Sequence, residues 1–201
     1  MSGLGENEEV LQELLRNIRA CTHCAEVLPC GPRPVLQAHT AARLRIISQA
    51  PGRKVHETGI PWNDPSGDRL RTWLGLTSEQ FYDPSKVAIV PIAFCYPGRA
   101  PSGDKSPRPE CAPRWHGKLN IHLPDIGLTL LIGQHAQVYY LGRRRKARLR
   151  DTVLAWKEYL PIGYIPLAHP SPRNQPWFVK NPWFETTLVR ELRNIIQDLK
   201  L

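Results

Sequence analysis

Four short apolar segments constrain the fold of this chain more than any other feature. They span 44–48, 87–92, 128–132 and 164–167, and each is followed by loop or helix signals. Continuous apolar runs of this length are typical of strands that are covered on both faces. Because helical patterns lie between these runs, the sequence predicts an α/β fold with a parallel sheet and helices on both sides.

The helices of this fold are predicted from apolar spacing and from capping residues. An amphipathic helix is expected over 9–19, and Ser66 and Thr77 are each expected to cap another. Asn181, followed by proline at the first helical position, predicts a last helix whose apolar face extends to Leu199.

Length and composition favour one domain that spans residues 1–201, with residues 1–7 disordered. No stretch approaches the roughly 18 consecutive apolar residues of a membrane span, and the amino terminus lacks a charged-then-apolar secretory pattern. We therefore expect a soluble, cytoplasmic monomer that contacts no membrane.

The positive charge of the chain is concentrated in one segment. The formal net charge is +9, and residues 141–157 carry seven lysines and arginines, among them Arg143, Arg144 and Arg145. A basic stripe of this kind attracts polyanions, of which nucleic acid is the commonest. The alternative is a solvated, mobile loop that binds nothing.

The cysteines form a spaced set. Cys21 and Cys24 make a Cys-x-x-Cys pair, and Cys95 and Cys111 follow with fifteen residues between them. In a cytosolic protein such a set more often binds metal or performs redox chemistry than forms disulfides. Four thiolates hold either zinc or a [4Fe–4S] cluster, and four unrelated buried cysteines are the remaining alternative. Cys30 falls outside the set and is expected to be a free thiol.

Two proline-containing loops follow strands, where ligands of parallel sheets bind. The first, from Gln49-Ala50-Pro51-Gly52 to Thr58-Gly59-Ile60-Pro61-Trp62, and the second, His169-Pro170-Ser171-Pro172, resemble the two motifs of the iron–sulfur (family 4) uracil-DNA glycosylases. The order and spacing of the four cysteines also resemble that family's cluster ligands. The likeness extends from about Ile18 to Leu199, nearly the whole chain.

This resemblance implies a three-layer α/β/α sandwich with a central four-stranded parallel sheet, the uracil-DNA glycosylase fold. It also implies hydrolysis of the N-glycosidic bond of a deaminated base in DNA, and a [4Fe–4S] cluster on Cys21, Cys24, Cys95 and Cys111. The expected role of that cluster is structural.

The chain departs from the family pattern at four positions. The family commonly has Glu in place of Gln49, an acid in place of His56 and Phe in place of Trp62. It also has an Asn that reads the uracil edge where this chain has Pro91. Gln49 cannot act as a general base, because a carboxamide takes up no proton near neutral pH.

The resemblance and the residue chemistry together assign roles. His169 is expected to stabilise the negative charge on the departing base, and Gln49 to orient water. The alternative is that Asp64 or His56, and not Gln49, orients that water. Trp62, Ala50 and Asn63 are expected to contact the flipped base, with Trp62 stacking on it. The residues expected to contact DNA are Pro51, Gly52, Ser171, Arg173, Arg143, Arg144 and Arg145.

Three functions remain open at this point. The first is a monofunctional DNA glycosylase of base-excision repair that removes uracil or another deaminated base. The second is a catalytically weak or inactive iron–sulfur protein that recognises lesions or single strands in DNA. The third is a redox protein that uses the cysteines, although nothing in the sequence resembles a flavin or nicotinamide site.

Overall fold

The computed structural model describes the backbone of residues 2–201 and the side chains of residues 5–201. Six β-strands are present, and they are β1 Leu44–Ile47, β2 Val87–Ile89, β3 Arg99–Ala100, β4 Gly103–Asp104, β5 Leu128–Ile132 and β6 Tyr164–Leu167. Ten α-helices surround them, and they are α1 Ser2–Arg19, α2 Arg53–Thr58, α3 Pro65–Leu74, α4 Ser78–Tyr82, α5 Cys111–Ile121, α6 Gln134–Leu141, α7 Leu149–Leu154, α8 Trp156–Tyr159, α9 Gln175–Lys180 and α10 Arg190–Asp198.

Four of the strands form one parallel sheet in the order β2-β1-β5-β6. Ile46 lies opposite Ile89 on one side and Leu130 on the other, so the register places the carboxyl ends of neighbouring strands together. The remaining two strands, β3 and β4, form a small antiparallel hairpin.

Alternate residues of the sheet enter two separate cores. Leu44, Ile46 and Leu130 pack with apolar residues of α3, α9 and α10, whereas Ile47 and Leu131 pack with residues of α1, α5 and α6. Helices therefore cover both faces, because each face carries an apolar row that must be buried. This arrangement confirms the predicted α/β/α sandwich with a four-stranded parallel sheet.

The predicted bounds of β5 and β6 agree with the structure, whereas β1 ends at Ile47 instead of residue 48 and β2 ends at Ile89 instead of residue 92. The chain beyond it still follows β1, since the amides of Val90 and Ile92 donate to the carbonyls of Ile46 and Ser48. Pro91 lies between them and has no N–H to donate on the other side of the strand.

Three helix predictions differ from the structure. Helix α1 begins at Ser2, within the segment 1–7 that was expected to be disordered, and residue 1 lies outside the described residues. Helix α3 is capped by Asp64 and not by Ser66, with Pro65 at its first position. The last helix begins with a π-helical segment, Phe184–Val189, and the Asn181 side chain does not cap it.

The capping box at Thr77 is confirmed, with both of its hydrogen bonds present at the start of α4. Within residues 2–201, no helix is both long enough and apolar enough to cross a bilayer.

Candidate active site and cysteine cavity

A cleft of about 490 Å³ opens at the carboxyl ends of β1, β2 and β6. Both motif loops border it, because each of them follows one of these strands. The residues that carry its chemistry are Gln49, Trp62, Asp64, Pro91, Asp104 and His169.

His169 is held in one orientation and one tautomer. Its backbone carbonyl accepts a hydrogen bond from the Asn174 side chain at 2.8 Å, and its Nδ1 accepts from the backbone N–H of Ser171 at 3.2 Å. Desolvation lowers the pKa of His169 to about 4, although the nearby Asp64 carboxylate opposes this shift. At neutral pH the ring is therefore uncharged, and since Nδ1 accepts, the single proton is on Nε2.

Trp62 is buried and has a backbone conformation that non-glycine residues seldom adopt, with φ at +57°. Its carbonyl packs against Gly67 so closely that a Cβ built on Gly67 would lie 1.7 Å from the oxygen. One face of the indole stacks on His169, with ring centroids 5.5 Å apart. The face that stacks on His169 is therefore not available to a ligand in the cleft.

Asp64 lines the cleft and is anchored by its capping role. Its Oδ1 accepts a hydrogen bond from the backbone N–H of Gly67 at 2.9 Å. His56, the other expected substitute for the missing carboxylate, is not among the described residues that line the cleft. Its ring lies 5.9 Å from that of Tyr96, and its Nδ1 is buried with no hydrogen-bond partner in the described structure.

Pro91 lines the cleft, but its carbonyl is bonded within a buried polar network. His116 Nε2 lies 3.0 Å from that carbonyl, and His116 Nδ1 lies 2.7 Å from the Tyr140 hydroxyl. Burial lowers the pKa of His116 to about 4, so at neutral pH its one proton is donated to Pro91. Position 91 therefore offers no donor to a ligand.

No motif of the sequence points to Asp104, yet its carboxylate lines the cleft. It lies at the end of the β3–β4 hairpin, which follows β2 after a short loop. The sequence contains one indication that this loop contributes to the site, because the loop follows a parallel strand and ligands bind beyond the carboxyl ends of such strands.

The remaining predicted residues divide into two groups. Ala50, Pro51, Gly52, Ser171 and Arg173 line the cleft. Among the described cleft-lining residues there is neither Asn63 nor any member of the basic run Arg143, Arg144 and Arg145. The basic run lies after α6, where the Arg144 carbonyl accepts a hydrogen bond from Tyr159.

The four spaced cysteines line one small cavity together with Arg108 and Arg114. Burial raises the pKa of Cys95 to about 11 and that of Cys111 to about 12, and the neighbouring thiols add to both shifts. Cys30 is exposed and lies outside the cavity. In the part of the chain that the structure describes, no group of three or more His, Cys, Asp or Glu residues is arranged to hold a metal ion.

Fold and cleft together define a parallel α/β protein with a cleft at the carboxyl ends of its strands, lined by a neutral histidine that stacks on an indole. Residues 36–193 match the family model of the uracil DNA glycosylase superfamily. The chain belongs to this superfamily. Membership supports a DNA glycosylase-like function in general and implies that the chain binds DNA.

Proposed function

We propose that this chain is a monofunctional DNA glycosylase that removes uracil or another deaminated base from DNA. The observation that carries the proposal is the neutral His169, held with its Nε2 proton available beside Trp62 in the cleft. Within the superfamily, we place the chain closest to the iron–sulfur (family 4) enzymes, with an altered first motif.

The chemistry follows from charge development during hydrolysis. When the N-glycosidic bond breaks, its electron pair moves to the base and negative charge grows on a base carbonyl. A neutral imidazole N–H donates a hydrogen bond to that oxygen, and it stabilises the transition state more than the ground state. Because the His169 imidazole is largely desolvated, this hydrogen bond is stronger than it would be in solution.

Base selection is expected to be permissive. Proline at position 91 has no side-chain donor and no N–H, and its carbonyl is already bonded to His116. A pocket that selects by shape and stacking alone rejects wrong bases by only about 1–3 kcal/mol. We therefore propose slow excision of uracil together with at least one of hypoxanthine and xanthine.

We also propose that Cys21, Cys24, Cys95 and Cys111 hold a [4Fe–4S] cluster, with zinc as the alternative. The donor set supports this proposal, since four cysteines surround one cavity. Arg108 and Arg114 border the same cavity and oppose the negative charge of the thiolates, and the buried Arg108 Nε has no partner in the described structure. When bound, the cluster ties the end of α1 to the loop before α5.

The decisive experiment measures excision on single- and double-stranded oligonucleotides that carry uracil, hypoxanthine, xanthine or a mismatched normal base. Alkali-labile products that accumulate over several turnovers support the proposal, and His169→Ala should abolish most of them. The variant Pro91→Asn should sharpen the preference for uracil. If the whole panel gives no product while tight DNA binding persists, the protein is a non-catalytic lesion-recognition protein instead.

A further inference from the structure

The first motif of this chain lacks the carboxylate of its relatives, but the cleft contains another one. We propose that Asp104 is a catalytic residue of this cleft, which orients the attacking water and stabilises positive charge on the sugar. This inference rests on the proposed glycosylase function and adds to it a residue from a different part of the chain.

The β3–β4 hairpin delivers Asp104 to the cleft. Arg99 pairs with Asp104 and Ala100 with Gly103, so the hairpin is only two residue pairs long. Nine residues separate it from the end of β2, and its last residue lines the cleft at the carboxyl ends of the strands. Asp104 lines the cleft there, together with Gln49 and His169.

The carboxylate is anchored through one oxygen, while the other faces the first motif. The hydroxyl of Tyr96, a buried residue, donates to Asp104 Oδ1 at 3.3 Å. Asp104 Oδ2 lies 3.6 Å from the position that a Cβ on Gly52 would occupy. Because φ of Gly52 is −79°, the backbone does not require glycine there, and the missing side chain leaves space beside Oδ2.

No ion pair within the described part of the chain includes Asp104. The Arg173 guanidinium approaches the hairpin beside it, with Nη1 2.9 Å from the position that a Cβ on Gly103 would occupy. A carboxylate that forms no ion pair opposes the binding of a polyanion to its cleft, because it repels phosphate. Such a group is expected where a reaction develops positive charge, and a glycosidic bond that breaks develops it on the sugar.

Asp64 is less suited to this task than Asp104. Both carboxylates have one oxygen in a hydrogen bond, but the charge of Asp64 acts on His169, the group that we assign to the departing base. Asp104 instead adjoins Gly52, in the turn that follows Gln49. In this proposal His169 serves the base and Asp104 serves the sugar.

The proposed step balances as a hydrolysis. The bond between C1′ and the base nitrogen breaks with its electron pair going to the base, and the sugar becomes a cation that Asp104 stabilises. The water oxygen forms a bond to C1′ and gives one proton to the Asp104 carboxylate. That proton then passes through solvent to the base anion, so the products are the neutral base and an abasic site.

The first test compares single-turnover rates of Asp104→Asn with those of Asp125→Asn. Asp125 is an exposed carboxylate that does not line the cleft within the described structure, so the same isosteric change serves as the control. We expect Asp104→Asn to lower the rate about a hundredfold or more, with DNA affinity unchanged or higher, and Asp125→Asn to lower neither. A rate within threefold of wild type for Asp104→Asn would overturn the inference.

The second test does not require turnover. Wild-type protein and both variants are titrated with DNA in which one nucleotide is replaced by a cationic pyrrolidine sugar analogue or by neutral tetrahydrofuran. Wild type and Asp125→Asn should prefer the cationic analogue, and Asp104→Asn should lose roughly tenfold of that preference. Equal preferences in wild type and Asp104→Asn would contradict the inference. If the excision assay gives no product from any base, the proposed function is wrong, but this binding comparison still tests the role of Asp104.

Discussion

The imidazole of His169 stacks on one face of the Trp62 indole, with ring centroids 5.5 Å apart and planes inclined by 30°. The indole covers a polar ring that would otherwise meet water, and this contact contributes to the desolvation that keeps His169 neutral. Each ring thereby restricts the orientation of the other. The face of Trp62 that His169 covers is not available to a flipped base in the cleft.

The first prediction concerns the pH dependence of excision. The pKa of His169 is lowered from 6.5 to about 4, so the ring stays neutral as the pH falls through 6.5. Single-turnover rates should therefore show no inflection near pH 6.5, and His169→Ala should lower the rates on all bases about a hundredfold or more. An acid limb centred near pH 6.5 in wild type, absent from His169→Ala, would show that His169 titrates normally.

The second prediction concerns Gly67, which supports Trp62. A Cβ at Gly67 would meet the Trp62 carbonyl at 1.7 Å, so Gly67→Ala must displace the backbone of Trp62. We expect a loss of about 1–3 kcal/mol in the free energy of unfolding and a large loss of excision, measured by denaturant titration and by rate. Gly117→Ala is the matched control, since its Cβ meets nothing within 4 Å in helix α5. It should stabilise the protein by about 0.5–1 kcal/mol.

The third prediction concerns the basic run Arg143, Arg144 and Arg145, which forms no ion pair in the described structure. Changing all three to Ala should weaken binding to every DNA sequence alike. It should also reduce the slope of log affinity against log salt by up to about 0.9 for each phosphate that the protein no longer neutralises. The double variant Arg16→Ala, Arg19→Ala on α1 is the control for removal of positive charge elsewhere. An unchanged slope in the triple variant would remove this run from the DNA interface.

The fourth prediction concerns metal content. Anaerobically purified protein should be brown and contain about four irons per chain. Cys95→Ser should lose the iron and become less soluble, whereas Cys30→Ser should keep it, because Cys30 is exposed and lies outside the cavity. Elemental analysis that finds one zinc and no iron in anaerobically handled wild type would refute the cluster.

The fifth prediction concerns acid stability. Burial lowers the pKa of both His116 and His169 from 6.5 to about 4, so the unfolded chain binds more protons than the folded chain between these pH values. The stability that these neutral histidines provide is fully present above pH 6.5 and is lost as the pH falls towards 4, by at most about 1.4 kcal/mol for each pKa unit. His116→Asn should reduce the slope of unfolding free energy against pH in this range. An identical slope in wild type and variant would contradict this assignment.

Much of the fold could be predicted because it depends on local patterns. The runs that became β1, β5 and β6 are apolar at every buried position but two, Arg45 and Thr129, and these two residues bond each other on one face of the sheet. The capping box at Thr77 is likewise a local pattern. The cap of α3 was misassigned, because Asp64 and Ser66 are both good capping residues and only the backbone conformation selects between them.

The amino-acid sequence alone is enough to predict the layer order of the sandwich, the two loops that form the cleft and the set of cysteines that share a cavity. Each of these depends on residue type and spacing, which short-range physics converts into strands, helices and turns. Tertiary packing accounts for three further features: Trp62 stacks on His169, the carbonyl of Pro91 is bonded to His116, and Asp104 lines the cleft. The first two contacts join residues that are 107 and 25 positions apart in the chain. They depend on how the elements pack against one another, and no local pattern of residues encodes that packing.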